Sequence, residues 1–224
     1  MDDPIPRNPG LLVNAAGPRL QLALLREDEG ADFHYSEKPV LESLVPGVRQ
    51  LLARNGLRLS GLQGVLFAKG PGSSLALRLA TMCLRSWIRL PELRHWKLAM
   101  FQNLEVAAVS LLRCSGRTET TVYAPYRRDR LHRCRARRTG DRLHFSTDTV
   151  GPGEADGTGD VLFLIGNRKP PEGLRLEERD PPMEEVPGLL MEFPFLLQPC
   201  TEVAPLQVSD AEPVRWSQRR HEAG

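Results

Sequence analysis

The clearest structural signal lies in residues 65–80, which read Val65-Leu66-Phe67-Ala68-Lys69-Gly70-Pro71-Gly72-Ser73-Ser74-Leu75-Ala76-Leu77-Arg78-Leu79-Ala80. This order predicts a buried strand, a tight turn and a helix, because Gly70 and Gly72 permit backbone angles and close approaches that a Cβ would block, and Pro71 fixes the turn between them. Ser73 or Ser74 is predicted to cap the helix. The free amide groups of such a turn could bind a phosphate, and a strand-to-helix connection without a ligand is the alternative.

The chain before and around this turn predicts one complete lobe. Alternating and apolar runs predict strands, and apolar residues spaced by three and four predict helices. The order strand, strand, strand, helix, strand, helix is typical of a ribonuclease-H-like lobe. The predicted strands are residues 11–15, 20–26, 33–36 and 64–68, and the predicted helices are residues 40–54, 74–88 and 98–113.

The pattern restarts after Ser115-Gly116 with short strands separated by charged turns. We therefore expect an α/β protein with a two-lobed, ribonuclease-H-like fold of the actin and sugar-kinase type, in which the second lobe is reduced. The first lobe is assigned to residues 1–113, the second to 114–216, and a polar tail to 217–224. The second lobe is predicted to contain strands at 121–126, 131–136, 142–146 and 161–165, a glycine-rich acidic loop at 151–159, and a short helix within 189–197, which Pro194 limits.

Composition places the chain among globular proteins with a substantial core. It has 224 residues, 41% of them hydrophobic, and a formal charge of +2, so the whole molecule has little general attraction for nucleic acid or membranes. Of the 30 basic residues only four are lysines. Because this arginine excess extends along the whole chain, a coding bias of the source organism is the first explanation, and the function of any single arginine is discounted accordingly.

Cysteine spacing and the N-terminal residues favour a cytoplasmic protein. Cys83, Cys114, Cys134 and Cys200 form no CxxC pair and no cluster with histidines, which predicts neither a zinc site nor a disulfide framework. The first residues are acidic and interrupted by prolines, unlike a signal peptide. No apolar run reaches the roughly 18 residues of a membrane-spanning helix. We expect a soluble protein in a reducing cytosol, with no membrane partner.

The turn at residues 70–80 resembles the hallmark of the TsaB (YeaZ) family, which reads Gly-Pro-Gly-Ser-Phe-Thr-Gly-Leu-Arg-Ile-Gly. Six of the eleven positions match, including the marker residues Gly70, Pro71, Gly72, Ser73 and Arg78. Looser similarity extends over most of the chain and includes residues 20–25, 41–52, 103–107, 122–123 and 212–216.

The resemblance implies a non-catalytic scaffold subunit that supports a TsaD-type transferase in forming N6-threonylcarbamoyladenosine in tRNA. It also implies a TsaE-type ATPase as a further partner, a homodimer as an alternative state, and only indirect or weak contact with tRNA. In the family, the first two helices of the first lobe pair with the partner. The residues predicted to contact the partner here are Leu44, Val48, Leu51, Leu77, Ala80, Thr81 and Leu84.

The sequence departs from the family where a nucleotide would bind. Active members of the wider ATPase superfamily hold phosphate and magnesium through Asp and hydroxyl residues after the first strand, because a hard cation needs oxygen ligands. This chain has Asn14-Ala15-Ala16 there, and none of its five histidines forms the His-x-x-x-His pair of TsaD-type enzymes. We therefore predict no catalytic residue, no metal and no cofactor. A small ATPase or metal-dependent hydrolase of the same fold is the alternative from the enzyme class.

A third hypothesis comes from an arginine-rich hairpin at residues 127–138, which holds seven arginines and one aspartate. Arg133, Arg135 and Arg137 could bind RNA phosphates, and Tyr123 and Tyr126 could stack on bases. The alternative is a solvated hairpin whose outward face is charged.

Overall fold

A computed structural model describes residues 9–26, 30–127, 130–140, 142–155, 161–163, 176–179 and 182–204. The predicted polar tail at 217–224 lies outside these ranges, as do parts of the predicted loop at 151–159 and strand at 161–165. The strands are β1 (Gly10–Asn14), β2 (Leu20–Arg26), β3 (Gly30–Ser36), β4 (Gly64–Gly70), β5 (Lys97–Gln102), β6 (Glu119–Arg127), β7 (Arg130–Thr139), β8 (Arg142–Val150), β9 (Val161–Phe163), β10 (Glu177–Arg179) and β11 (Gln198–Pro199). The helices are α1 (Val40–Arg54), α2 (Ser74–Trp87), α3 (Asn103–Ser115) and α4 (Val186–Glu192).

Two mixed sheets organise these elements. The first sheet has the order β11-β5-β4-β1-β2-β3, in which β5, β4 and β1 are parallel and the remaining strands run antiparallel to their neighbours. The second sheet has the order β10-β9-β6-β7-β8, in which β6, β7 and β8 form an antiparallel meander. In the described ranges no helix is long and apolar enough to cross a bilayer.

The helices form two layers on opposite sides of the first sheet. The buried faces of α1 and α2 share a core cluster with one face of β1, β2 and β4. Helix α3 lies in a second cluster, between the opposite face of the first sheet and the inner face of the second sheet. Nine of the 13 residues of α3, among them its first eight, are buried because this helix packs against a sheet on each side.

The predicted helix at 98–113 is wrong at its start. Residues 97–102 instead form β5, which pairs in parallel with β4, and α3 begins at Asn103. Helices cover both faces of a parallel strand, so such a strand is apolar throughout and its period is hard to tell from that of a buried helix. The predicted helix at 189–197 is also shifted, because α4 ends at Glu192 and a 3-10 turn follows from Pro194 to Leu196.

The end of the described chain returns to the first sheet. β11 pairs with β5, the Cys200 amide donates to the carbonyl of Leu98 at 3.0 Å, and Val203 is fully buried in the cluster under α1 and α2. Residues 198–203 therefore pack with the first lobe, through β11 and Val203, and not with the second lobe, to which residues 114–216 were assigned from the sequence. Their return places a late segment of the chain along the edge strand β5 and beside the last turn of α2, where Nε of Arg85 donates to the carbonyl oxygen of Val203 at 2.7 Å.

Candidate functional site

The turn after β4 brings backbone against backbone. Gly70 has a φ of 135°, a conformation that side chains disfavour, and a Cβ added to Gly72 would lie 2.2 Å from the carbonyl oxygen of Ala16. The Ser73 amide donates to that same oxygen at 3.4 Å. Of the two predicted capping residues, Ser73 is the one that caps α2, since its Oγ accepts from the Ala76 amide. The glycines thus hold this turn directly on the loop after β1.

Asn14 at the end of β1 is fully buried, and both the nitrogen and the oxygen of its side-chain amide form hydrogen bonds. Its Nδ2 donates to Oδ1 of Asn103 at 3.1 Å, and Nδ2 of Asn103 donates back to Oδ1 of Asn14 at 3.3 Å. Oδ1 of Asn14 also accepts from the amide of Ala16 at 3.1 Å. The amide of Asn14 therefore links the first sheet to the N-terminus of α3 and holds the β1 loop in place.

Met183 covers this network from the other side. The Asn14 Nδ2 lies 3.7 Å from the Met183 sulfur, and the buried Gln21 amide donates to the Met183 carbonyl oxygen. The polar side chains at the end of β1 and the start of β2 are thus bonded to protein atoms. Within the described ranges, no three His, Cys, Asp or Glu side chains converge in a way that could hold a metal ion.

Glu105 is a buried carboxyl group in the first turn of α3. Its side chain accepts a hydrogen bond from Nε2 of Gln102 at 3.0 Å. Burial raises the pKa of Glu105 from 4.5 to about 6, against the opposing charge of Lys69. Burial, with a smaller effect of Glu105, also raises the pKa of the Cys134 thiol, which lies in the second sheet. Glu105 therefore gains or loses its charge near pH 6, while its side chain lies in the core between the two sheets.

The residues predicted to contact a partner lie in this chain's own core. All seven are at most 5% exposed, so a partner cannot reach their side chains without opening the core, and this part of the prediction is corrected. The cause is the helical period, since these positions form the stripes that α1 and α2 turn towards the sheet. They are Leu44, Val48, Leu51, Leu77, Ala80, Thr81 and Leu84.

The exposed apolar side chains of the same two helices lie off those stripes. Leu41 is 74% exposed and Val45 41% exposed on α1, while Leu75 is 66% and Met82 63% exposed on α2. We call these four residues the α1–α2 surface. The marker residue Arg78 is exposed on α2 between Leu75 and Met82. The sequence does carry the signal for these residues, since α2 has more apolar residues than one buried face requires, but the predicted contact residues were taken from the stripe and not from this surplus.

A groove of about 260 Å³ lies at the N-terminal ends of α1 and α2. Its lining is mostly apolar and connects the β1 loop with the α1–α2 surface. The residues that line it include Pro18, Leu20, Pro39, Val40, Leu75 and Leu79. This end of the two helices therefore offers a concave apolar site beside exposed apolar side chains.

The structure separates the three arginines predicted to contact RNA. Arg133 is only 8% exposed and forms a two-pronged ion pair with Asp148, in which Nε donates to Oδ1 at 2.8 Å. It is not available to RNA, and this part of the prediction is corrected. Arg135 and Arg137 are exposed on the same strand. Tyr123 is buried, so it offers no ring on which a base could stack.

Two solved structures share this architecture. YeaZ from Pseudomonas aeruginosa is 17% identical to this chain with a TM-score of 0.65, over 90% of this chain and 100% of that one. A second structure, an uncharacterized protein with similarity to peptidase YEAZ from Pseudomonas aeruginosa, is also 17% identical, with a TM-score of 0.63 over 89% and 99% of the two chains. No family model matches the sequence, and no curated protein matches it. The comparisons confirm the two-lobed, YeaZ-like α/β fold.

Proposed function

We propose that this chain is a non-catalytic scaffold subunit that pairs with a TsaD-type transferase during N6-threonylcarbamoyladenosine modification of tRNA. The observation that carries the proposal is the α1–α2 surface, where four large apolar side chains are 41–74% exposed on adjacent helices. Exposed apolar groups of this kind are typical of protein interfaces. The resemblance at residues 70–80 and the YeaZ-like fold support the choice of partner.

The loops at the ends of β1 and β4 support a scaffold rather than an ATPase. Asn14 stands where active superfamily members carry a carboxylate, and its amide is bonded to Asn103 and Ala16. A hard cation prefers charged oxygen ligands, which Asn14 does not supply. The proposal includes a TsaE-type ATPase as a further partner in the complex, and a homodimer through the same surface when the transferase is absent.

Affinity for the TsaD-type subunit of the same organism tests the proposal. The variant Leu75→Asp/Met82→Asp places two charges on the α1–α2 surface without touching the core. We expect it to bind the transferase at least about 30-fold more weakly, as for hot-spot residues of an interface. Leu90→Asp is the matched control, because Leu90 is 39% exposed outside that surface and its variant should bind normally.

Two results would contradict the scaffold function. One is unchanged affinity of the Leu75→Asp/Met82→Asp variant, and the other is normal tRNA modification in cells that lack this chain. Turnover of ATP by the isolated chain would instead favour the small ATPase. We expect no such turnover, and the measurement requires only the purified protein and a phosphate-release assay.

A further inference from the structure

The outer face of the second sheet carries two polar rows that cross three strands. Side chains alternate along a strand, so α3 covers Cys134 and Ala136 while Arg135 and Arg137 point to the opposite face. One row consists of Thr121, Arg135 and Ser146, and the next consists of Glu119, Arg137 and His144. Together with the segment 116–118 they line a groove of about 900 Å³.

The groove is rich in hydrogen-bond donors and carries an excess of positive charge. Arg135 and Arg137 are exposed and form no ion pair with any residue in the described ranges. This distinguishes them from Arg133 on the same face, which Asp148 neutralises. Among the described lining residues the acidic group is Glu119, against the guanidinium groups of Arg135 and Arg137.

The arrangement fits a chain of anions better than a single anion. Arg135 and Arg137 are two residues apart on an extended strand, so their Cα atoms are about 6.6 Å apart, and the groove extends across β6, β7 and β8. Hydroxyl groups of Thr118, Thr121 and Ser146 lie in the same groove. Arginines combined with Ser and Thr hydroxyls are a donor set that proteins use for nucleic-acid phosphates.

We infer that this groove binds the phosphodiester backbone of a nucleic-acid strand without regard to its bases. The tyrosines and the phenylalanine near the groove do not form a stacking platform. Tyr123 is buried, the half-buried Tyr126 contacts the His132 ring at a centroid distance of 4.4 Å, and Phe145 packs against the main core cluster. Contacts to phosphates alone position a strand and carry no sequence information. The groove lies on the second sheet and requires no partner, so this inference is independent of the proposed scaffold function.

Fluorescence anisotropy with the isolated full chain tests the inference, using labelled oligouridine and oligothymidine of equal length. We expect binding that weakens as salt rises from about 50 to about 200 mM, as counterion release requires. Arg135→Gln/Arg137→Gln should bind about tenfold more weakly and reduce the slope of log affinity against log salt by about 1.4, or about 0.7 per lost phosphate contact. Arg135→Lys/Arg137→Lys should retain most of the binding, because lysine keeps the charge.

The matched control is Arg89→Gln/Arg94→Gln, which removes the same charge from exposed positions outside the groove. Equal weakening of the two Gln double variants, or no binding by the unmodified chain at low salt, would overturn the inference. The inference would also be overturned if polyglutamate displaced the labelled strand as effectively as an oligonucleotide of equal charge. That result would identify a site for acidic proteins. Binding of either strand that meets the stated criteria supports the inference, and the relative affinities identify the preferred strand.

Discussion

Asn14 and Asn103, 89 residues apart in sequence, exchange hydrogen bonds through their side-chain amides in the core, at 3.1 and 3.3 Å. Asn14 ends β1 and Asn103 begins α3, so this pair connects the first sheet to the helix that lies between the two sheets. Both side chains are at most 6% exposed. A buried polar group that loses its partner incurs the full cost of desolvation, which makes the pair a specific structural link.

A double-mutant cycle on Asn14 and Asn103 tests that link. Asn14→Ala and Asn103→Ala should each lower the free energy of unfolding by about 1–3 kcal/mol, because each removes from the other buried amide the hydrogen bonds that the pair exchanges. The double variant should cost less than the sum of the two, since neither amide is then left without its partner. Urea denaturation of the four proteins measures the coupling. Additive costs, within about 0.5 kcal/mol, would contradict the link.

Gly72 tests the contact between the β4 turn and the β1 loop. An alanine Cβ there would lie 2.2 Å from the Ala16 carbonyl oxygen, so the backbone has to move. We expect Gly72→Ala to lower the free energy of unfolding by about 3 kcal/mol. Gly61→Ala is the control, because a Cβ at Gly61 has no neighbour within 4 Å and should change stability by less than about 0.5 kcal/mol. Thermal melts of both variants compare the two positions, and equal stabilities would disprove the tight contact.

Burial of Glu105 predicts a pH dependence of stability. Its pKa is about 6 in the folded chain against an ordinary 4.5, so the folded state binds the proton more tightly than the unfolded state. The contribution of Glu105 to stability therefore falls as pH rises from 4.5 to about 6, by about 2 kcal/mol in total. Glu105→Gln lacks this titration. The stability of the variant relative to the unmodified chain should rise by that amount across the interval, which urea denaturation at several pH values measures.

The elements around residues 65–80 could be predicted because each has a simple period and clear ends. The glycine turn, a serine cap at position 73 or 74 and both flanking helices follow from local chemistry, and the structure assigns the cap to Ser73. The boundary between β5 and α3 could not be predicted, because Lys97–Gln102 is a buried strand whose apolar run continues into a helix. The return of Gln198–Pro199 to β5 is a long-range pairing that no local pattern indicates.

For the residues of the candidate site, the sequence likewise did not predict which side chains are exposed. Sequence periodicity identified the apolar stripe of α1 and α2, but a stripe predicts burial and does not say whether its cover is the chain itself or a partner. The apolar residues outside the stripe, such as Leu41 and Met82, were the better candidates. Arg133 differs from Arg135 in its burial and in its ion pair with Asp148 on the neighbouring strand, a contact that depends on the register of β7 and β8.

The Arg133–Asp148 ion pair provides the last prediction. The hydrogen bond from Arg133 holds the pKa of the Asp148 carboxyl below its usual range. The pair therefore stabilises the folded chain above the unfolded pKa of Asp, about 3.9. This stabilisation is lost as pH falls through the lower pKa of the folded state.

Asp148→Asn should lower the free energy of unfolding by about 1–3 kcal/mol near neutral pH. This is less than the cost of breaking a fully buried ion pair, because the Asp148 side chain is 43% exposed. Arg133→Met/Asp148→Asn should recover part of the loss, since no buried charge is then left without its partner. Arg138→Gln, at an exposed arginine of the same strand, is the control and should be nearly neutral. Chemical denaturation at neutral pH distinguishes these outcomes, and a double variant less stable than Asp148→Asn would show that Arg133 stabilises the sheet by packing rather than by its charge.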